Sequence, residues 1–167
     1  MAKSSAWESL TVRPLEATGA AAARELFAFV GAGQPPAGAQ EGWGAWDGER
    51  MVGALVMERA GGSAMLDGPA VAAPAGAGTE SALEAAAQLV EQALAHAGAA
   101  KIDTVFVRPQ GLDRVWVRLG FIPVPEAELA ESFRGRPGIG LFGWRGGSAL
   151  WSAAARGPDR RTAPAFR

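Results

Sequence analysis

Between Glu80 and His96 the apolar residues recur with the helical period. Leu83, Ala87, Val90 and Leu94 share one face, Glu84, Gln88 and Glu91 fall off it, and Gly98 closes the run. A few residues later, Ile102 to Val107 is almost continuously apolar and β-branched, as in a strand covered on both faces. A helix with one apolar face followed by a strand with two requires a layered domain, with the strand near the centre of a sheet.

The flanking segments supply the rest of the sheet. Leu10-Thr11-Val12 alternates as a half-buried strand does, and Pro14 ends it. Thr18 is positioned to cap a helix in which Ala23, Phe27 and Val30 fall at i, i+4 and i+7, with Gly31 as its stop. Gly31 to Gly42, with Pro35-Pro36, reads as a loop. Trp43 to Trp46 and Met51 to Met57 flank Asp47-Gly48, a pair that favours a tight hairpin. Ala60-Gly61-Gly62-Ser63 makes a second turn into Ala64-Met65-Leu66, and Asp67-Gly68-Pro69 predicts a bulge or splay before Val71. Leu112, Val115, Trp116 and Leu119 predict a short helix ended by Gly120. Phe121 to Val124 and Ile139 to Trp144 are extended. The order is strand, helix, three antiparallel strands, helix, strand, helix and one or two strands, an α+β domain with a mixed sheet and no internal repeat.

Composition narrows the chemistry. The chain has 167 residues, the size of one domain. It carries a formal net charge of -1, so there is no overall attraction to nucleic acid or to an anionic membrane. There is no Cys, which excludes a thiolate nucleophile, disulfides and Cys-ligated metal, and a single His leaves little for imidazole chemistry. No metal site is expected. Met1 to Ser5 is not followed by an apolar segment of the signal type, and no run approaches the roughly 18 apolar residues of a membrane span. The expectation is a cytoplasmic protein. Residues after Gly147 include Arg156, Arg160, Arg161 and Arg167 against Asp159 alone, together with Pro158 and Pro164. We therefore divide the chain into a domain over 8–145 and a flexible or partner-docking basic tail over 146–167, whose Leu150 and Trp151 offer apolar contacts.

The Gly-rich turn Ala75-Gly76-Ala77-Gly78-Thr79-Glu80 opening the long helix, and the run Trp116-Val117-Arg118-Leu119-Gly120-Phe121 closing the short one, resemble landmarks of the GNAT superfamily of N-acetyltransferases. The chain resembles small bacterial GNAT-like proteins with eroded CoA motifs better than it resembles members with intact ones. The resemblance implies the GNAT-like acyl-CoA N-acyltransferase fold, mostly antiparallel with a splayed central pair and flanking helices. It also implies acetyl-CoA as donor and a small-molecule amine or protein N-terminus as acceptor.

On that pattern Gly76, Ala77, Gly78 and Thr79 hold the pyrophosphate. Unpaired N–H groups of a glycyl turn and of a helix's first turn bind anions. Arg108, just past the central strand, is positioned for a CoA phosphate or is a surface cation. Departures from the pattern are plain. Ala75 stands where a basic or amide residue is usual, and Glu80 places a carboxylate in the turn. Trp116 occupies the slot of a family Tyr, in a chain with no Tyr at all.

Asp67, on the strand expected to splay, is the candidate base, and Glu58 on the preceding strand is the second. Asp-Gly-Pro is equally a turn sequence, and Glu58 equally a solvated strand end. His96 reads as a favourable cation near a helix C-terminus. The Trp residues read as packing for Trp116 and for at least one of Trp43 and Trp46, with a substrate groove as the other role. Three functions remain open: the acetyl-CoA-dependent N-acetyltransferase; an inactive GNAT-like scaffold, in dimeric form an interaction or regulatory module, that no longer binds CoA; and an unrelated α+β binding domain.

Overall fold

The computed structural model describes residues 6–109, 113–138 and 140–145. The expected basic tail over 146–167, Met1 to Ser5, Leu112 and Ile139 lie outside them. In order the elements are β1 (Leu10–Pro14), α1 (Ala17–Phe29), β2 (Glu41–Asp47), β3 (Arg50–Ala60), β4 (Ser63–Val71), α2 (Thr79–Ala99), β5 (Thr104–Val107), α3 (Asp113–Arg118), β6 (Ile122–Pro123) and β7 (Phe142–Arg145). Two single 3₁₀ turns, Glu126–Glu128 and Glu131–Phe133, join β6 to β7.

The strands form one sheet of order β1-β2-β3-β4-β5-β7-β6. Every neighbouring pair is antiparallel except β4 and β5, which run parallel at its centre. Helix α2 makes the crossover between these two strands, as a parallel connection requires. The α+β fold with a mixed sheet is as the sequence predicts, down to the hairpin pairing Asp47 with Arg50.

One face of the sheet is covered by α2. Ala85, Ala86, Leu89, Val90, Ala93 and Ala97 are fully buried there against Leu55, Met57, Leu66, Val105 and Val107. Small Ala side chains bring the helix axis close to the strands, and at Gly53 a Cβ would already lie 3.0 Å from Leu89 Cδ1. The other face is divided. Helix α1 buries Ala23, Leu26 and Phe27 on Ala54, Val56 and Ala70. The segment after β6 buries Leu129, Phe133 and Leu141 on Met65 and Phe106.

Several boundaries depart from expectation. Thr18 lies inside α1, whose N-cap is Glu16. Likewise Gly98 lies inside α2, and the chain turns instead at Lys101, with φ 58. Thr79 is the first residue of α2, and Gly78 is its N-cap. Local spacing misplaces such ends because neighbouring packing, as well as the capping residue, decides where a helix stops.

Candidate active site

The parallel pairing of β4 and β5 ends at Leu66 with Val107. Beyond it β4 continues to Val71 on β3 alone, with two residues, Gly68 and Pro69, opposite the single Leu55. The sequence leaves a bulge or a splay open at Asp67-Gly68-Pro69, and both occur. Gly68 is needed at this bulge. Its φ is 101, and a Cβ there would lie 3.0 Å from Ala70 N and 3.1 Å from Ala54 O.

Where the strands part, a cleft of about 270 Å³ opens, lined among others by Phe27, Asp67, Gly68, Arg108, Trp116 and Arg136. It is reached from both faces of the sheet. Leu66, Val107 and Trp116 belong to the apolar cluster under α2. Side chains alternate along a strand, so Asp67 and Arg108, next after the last paired residues, point to the other face with Met65 and Phe106.

Asp67 lines this cleft and is linked to Glu58, on the neighbouring strand, by one guanidinium. Arg136 donates Nη1 to Glu58 Oε1 and Nη2 to Glu58 Oε2, each at 2.9 Å, and its Nη1 lies 4.0 Å from Asp67 Oδ2. Burial pushes the Asp67 carboxyl up to about 6 against the lowering effect of Arg136, and the nearby Glu58 carboxylate adds to the rise. Arg136 is held more firmly protonated than usual, chiefly by its bonds to Glu58. Thus both Glu58 oxygens are occupied, whereas Asp67 Oδ2 is buried with no hydrogen-bond partner.

Arg108 lines the cleft as well. Its Nη2 pairs with Glu126, and its Nε is buried without a partner. Trp116 is 1% exposed and set edge-on against Phe121 at 5.2 Å between ring centroids, and its Nε1 also lacks a partner. It is therefore both core, as expected, and cleft wall. Trp43 is core too, at 4% exposure.

The Gly-rich turn lies at the start of α2. Gly76 and Gly78 have φ 79 and 76, and a Cβ on either would meet nothing within 4 Å. No side chain caps α2, so the N–H groups of Thr79, Glu80 and Ser81 have no acceptor one turn back. These residues fit a phosphate: open space, a conformation that suits Gly, and unpaired donors at the positive end of a helix dipole. Ala77 N–H is used internally, on Pro74 O at 3.0 Å. The Glu80 carboxylate, which opposes an anion, is paired with Arg114 of α3 at 3.2 Å.

His96 is not simply at a helix end in solvent. Its Nε2 lies 2.6 Å from Glu41 Oε2 and 3.0 Å from Arg59 Nη2, with Trp43 edge-on at 5.4 Å. It is part of a surface ion-pair group at the α2 face, apart from the cleft residues.

Three participants escape sequence reasoning. Arg136 sits in Arg134-Gly135-Arg136-Pro137-Gly138, where an Arg between chain-turning residues is the one local signal. Its partner Glu58 is 78 positions away. Arg114, four residues before Arg118, gives no sign of pairing with Glu80. Trp7 is buried ahead of β1 and donates Nε1–H to Ser81 O at 3.0 Å, tying the start of the chain to the first turn of α2.

Among the described residues no three acidic or His side chains converge as metal ligands, and no helix is long and apolar enough to cross a membrane. No protein-family model matches this sequence, and no curated protein matches it. Solved structures do match. A GNAT-family acetyltransferase from Staphylococcus aureus Mu50 superposes with a TM-score of 0.64 at 11% identity, over 82% of this chain and 99% of that one. An acetyltransferase from Streptococcus agalactiae 2603 gives 0.61 at 15% identity, over 83% and 99%. A GNAT-family N-acetyltransferase from Escherichia coli, solved with CoA, gives 0.60 at 15% identity, over 81% of each chain. At such identities the likeness establishes architecture, and the chain has the fold of the GNAT N-acetyltransferases.

Proposed function

We propose that the protein is an acetyl-CoA-dependent N-acetyltransferase whose acceptor is a small-molecule amine or a protein N-terminus. Residues 8–145 form the transferase unit, with 146–167 as a basic extension. The Cys-free chain suits a reducing, cytoplasmic setting. The observation that carries this reading is the cleft where β4 and β5 part, lined by Asp67, with a carboxylate oxygen that has no hydrogen-bond partner, on one face and by Trp116, with an indole N–H that has none, on the other.

Bound acetyl-CoA supplies the acyl group: the amine nitrogen bonds to the thioester carbon as the carbon–sulfur bond breaks, and CoA leaves as a thiol. Asp67 accepts the proton lost by the ammonium, directly or through one water. Its pKa of about 6 leaves it ionised at neutral pH yet more basic than an exposed Asp. Glu58 is a positioning residue, holding Arg136 beside Asp67. Trp116 donates a hydrogen bond to an acceptor atom entering between the strands, but indole N–H is too weak an acid to protonate the leaving sulfur. With no Tyr in the chain, that proton comes from solvent. Gly76, Gly78 and the N–H groups of Thr79 to Ser81 take the pyrophosphate, with Arg114 holding Glu80 aside.

Calorimetric titration with acetyl-CoA tests the reading. Saturable binding that Gly78→Glu removes supports it. No heat and no rise in melting temperature at millimolar acetyl-CoA would instead favour a scaffold that no longer binds CoA.

A further inference from the structure

Among the described residues, five buried side-chain polar atoms lack a hydrogen-bond partner, and three of them, Asp67 Oδ2, Arg108 Nε and Trp116 Nε1, belong to residues that line this cleft. Buried polar atoms are ordinarily paired, so a cluster of orphans describes the ligand that completes it. On the face away from α2 the unmet pair is one acceptor, Asp67 Oδ2, and one donor, Arg108 Nε–H. They project side by side from the residues immediately after the last paired positions of β4 and β5. Both residues line the same cleft, on the same face of the sheet.

We propose that the acceptor is an α-amino carbonyl compound, either a free α-amino acid or the first residue of a peptide. Its ammonium donates to Asp67, and its neighbouring carbonyl or carboxylate oxygen accepts from Arg108 Nε–H. This deepens the acetyltransferase reading and rests on it for the transfer step. The new bond is between the α-nitrogen and the acyl carbon, the carbon–sulfur bond breaks, Asp67 takes the ammonium proton, and the thiolate is protonated by solvent. Arg108 suits the oxygen because Glu126 holds its distal nitrogen, leaving Nε as the free donor. A plain alkylamine leaves that donor unmet. A diamine or polyamine places a second cation against Arg108 and Arg136, which line the same cleft.

The experiment compares L-alaninamide, L-alanine and an Ala-Ala-Ala peptide with sec-butylamine, which has the shape of alaninamide without its carbonyl. Both binding to the full chain by calorimetry and acetyl transfer by mass spectrometry are read. Because a neighbouring carbonyl makes the ammonium more acidic, rates are compared per concentration of free base; on that scale the α-amino carbonyl compounds should exceed sec-butylamine in kcat/KM on the order of tenfold to a hundredfold, the effect of one charge-assisted hydrogen bond. L-alanine against the peptide separates a free amino acid from a chain terminus. Arg108→Lys keeps a cation for Glu126 but removes Nε–H, and should narrow the ratio of kcat/KM for alaninamide to that for sec-butylamine toward one. Should the variant not fold, the wild-type ratio alone decides.

Equal use of alaninamide and sec-butylamine overturns the inference and leaves the enzyme reading standing. Alaninamide binding in preference to sec-butylamine, with no transfer, upholds the site and sinks the enzyme reading. Neither binding nor transfer overturns both.

Discussion

Arg136 and Glu58, 78 positions apart in the chain, meet through two parallel N–H···O bonds of 2.9 Å, and the same guanidinium lies 4.0 Å from Asp67. One cation from the segment between β6 and β7 thus serves carboxylates on two adjacent strands. Arg136→Met leaves Glu58 and Asp67 facing each other uncompensated. We expect a stability loss of about 2 kcal/mol in urea titration, below that of a fully buried pair because Arg136 is partly exposed. The acid limb of kcat/KM should also move to higher pH, because Arg136 opposes the rise in the Asp67 pKa.

Asp67 itself gives a prediction with opposite signs for rate and stability. Its pKa stands at about 6 in the folded state against an ordinary 3.8, for burial first, with Arg136 opposing and Glu58 adding. Between these values the folded protein holds a proton that the unfolded chain has lost, so stability falls as pH rises from about 4 to 6, by on the order of 2 kcal/mol. Acetyl transfer should rise over the upper part of the same interval and level off above it. Asp67→Asn should flatten the pH dependence of the melting temperature, raise stability at pH 7, and cut turnover with little change in acetyl-CoA affinity. A melting temperature as pH-dependent as the wild type's would remove Asp67 as its source.

Trp116 separates packing from hydrogen bonding. Trp116→Phe keeps an aromatic ring against Phe121 and removes the unpartnered N–H, so the smaller packing is offset by relief of a buried, unmet donor. The free protein should change by less than about 1.5 kcal/mol, whereas Trp116→Ala should cost about 3–5 kcal/mol. Acetyl-CoA affinity should fall in Trp116→Phe. An affinity equal to the wild type's shows that the indole nitrogen makes no contact with the donor.

Gly78 has a conformation that only Gly adopts freely and open space where a Cβ would project. Gly78→Ala should cost about 1–2 kcal/mol of stability from backbone strain, readable as a lower melting temperature. The larger effect should be on the shift produced by acetyl-CoA, since the strain acts on the turn that presents the unpaired N–H groups. Glu80→Gln should act the other way, strengthening CoA binding by removing a negative charge, most visibly at low salt.

Element order and most of the sheet can be read from the residues alone. Those features are written in local periodicities: the apolar stripe of Leu83, Ala87, Val90 and Leu94, the doubly covered run ending at Val107, and the turn residues at Asp47-Gly48 and Gly61-Gly62. The sequence also points to Asp67-Gly68-Pro69 as the place where regular pairing stops, since Gly and Pro interrupt a ladder through their own backbones. Tertiary structure alone decided what that interruption is for. The orphan atoms of Asp67, Arg108 and Trp116 come from β4, the residue after β5, and α3, and Arg136 reaches Glu58 from a segment with no periodicity to read. Hydrogen bonding and desolvation depend on distances between residues far apart in the chain. Which carboxylate is tied up and which is left with an unmet oxygen was therefore settled only when β4 and β5 came together and then parted.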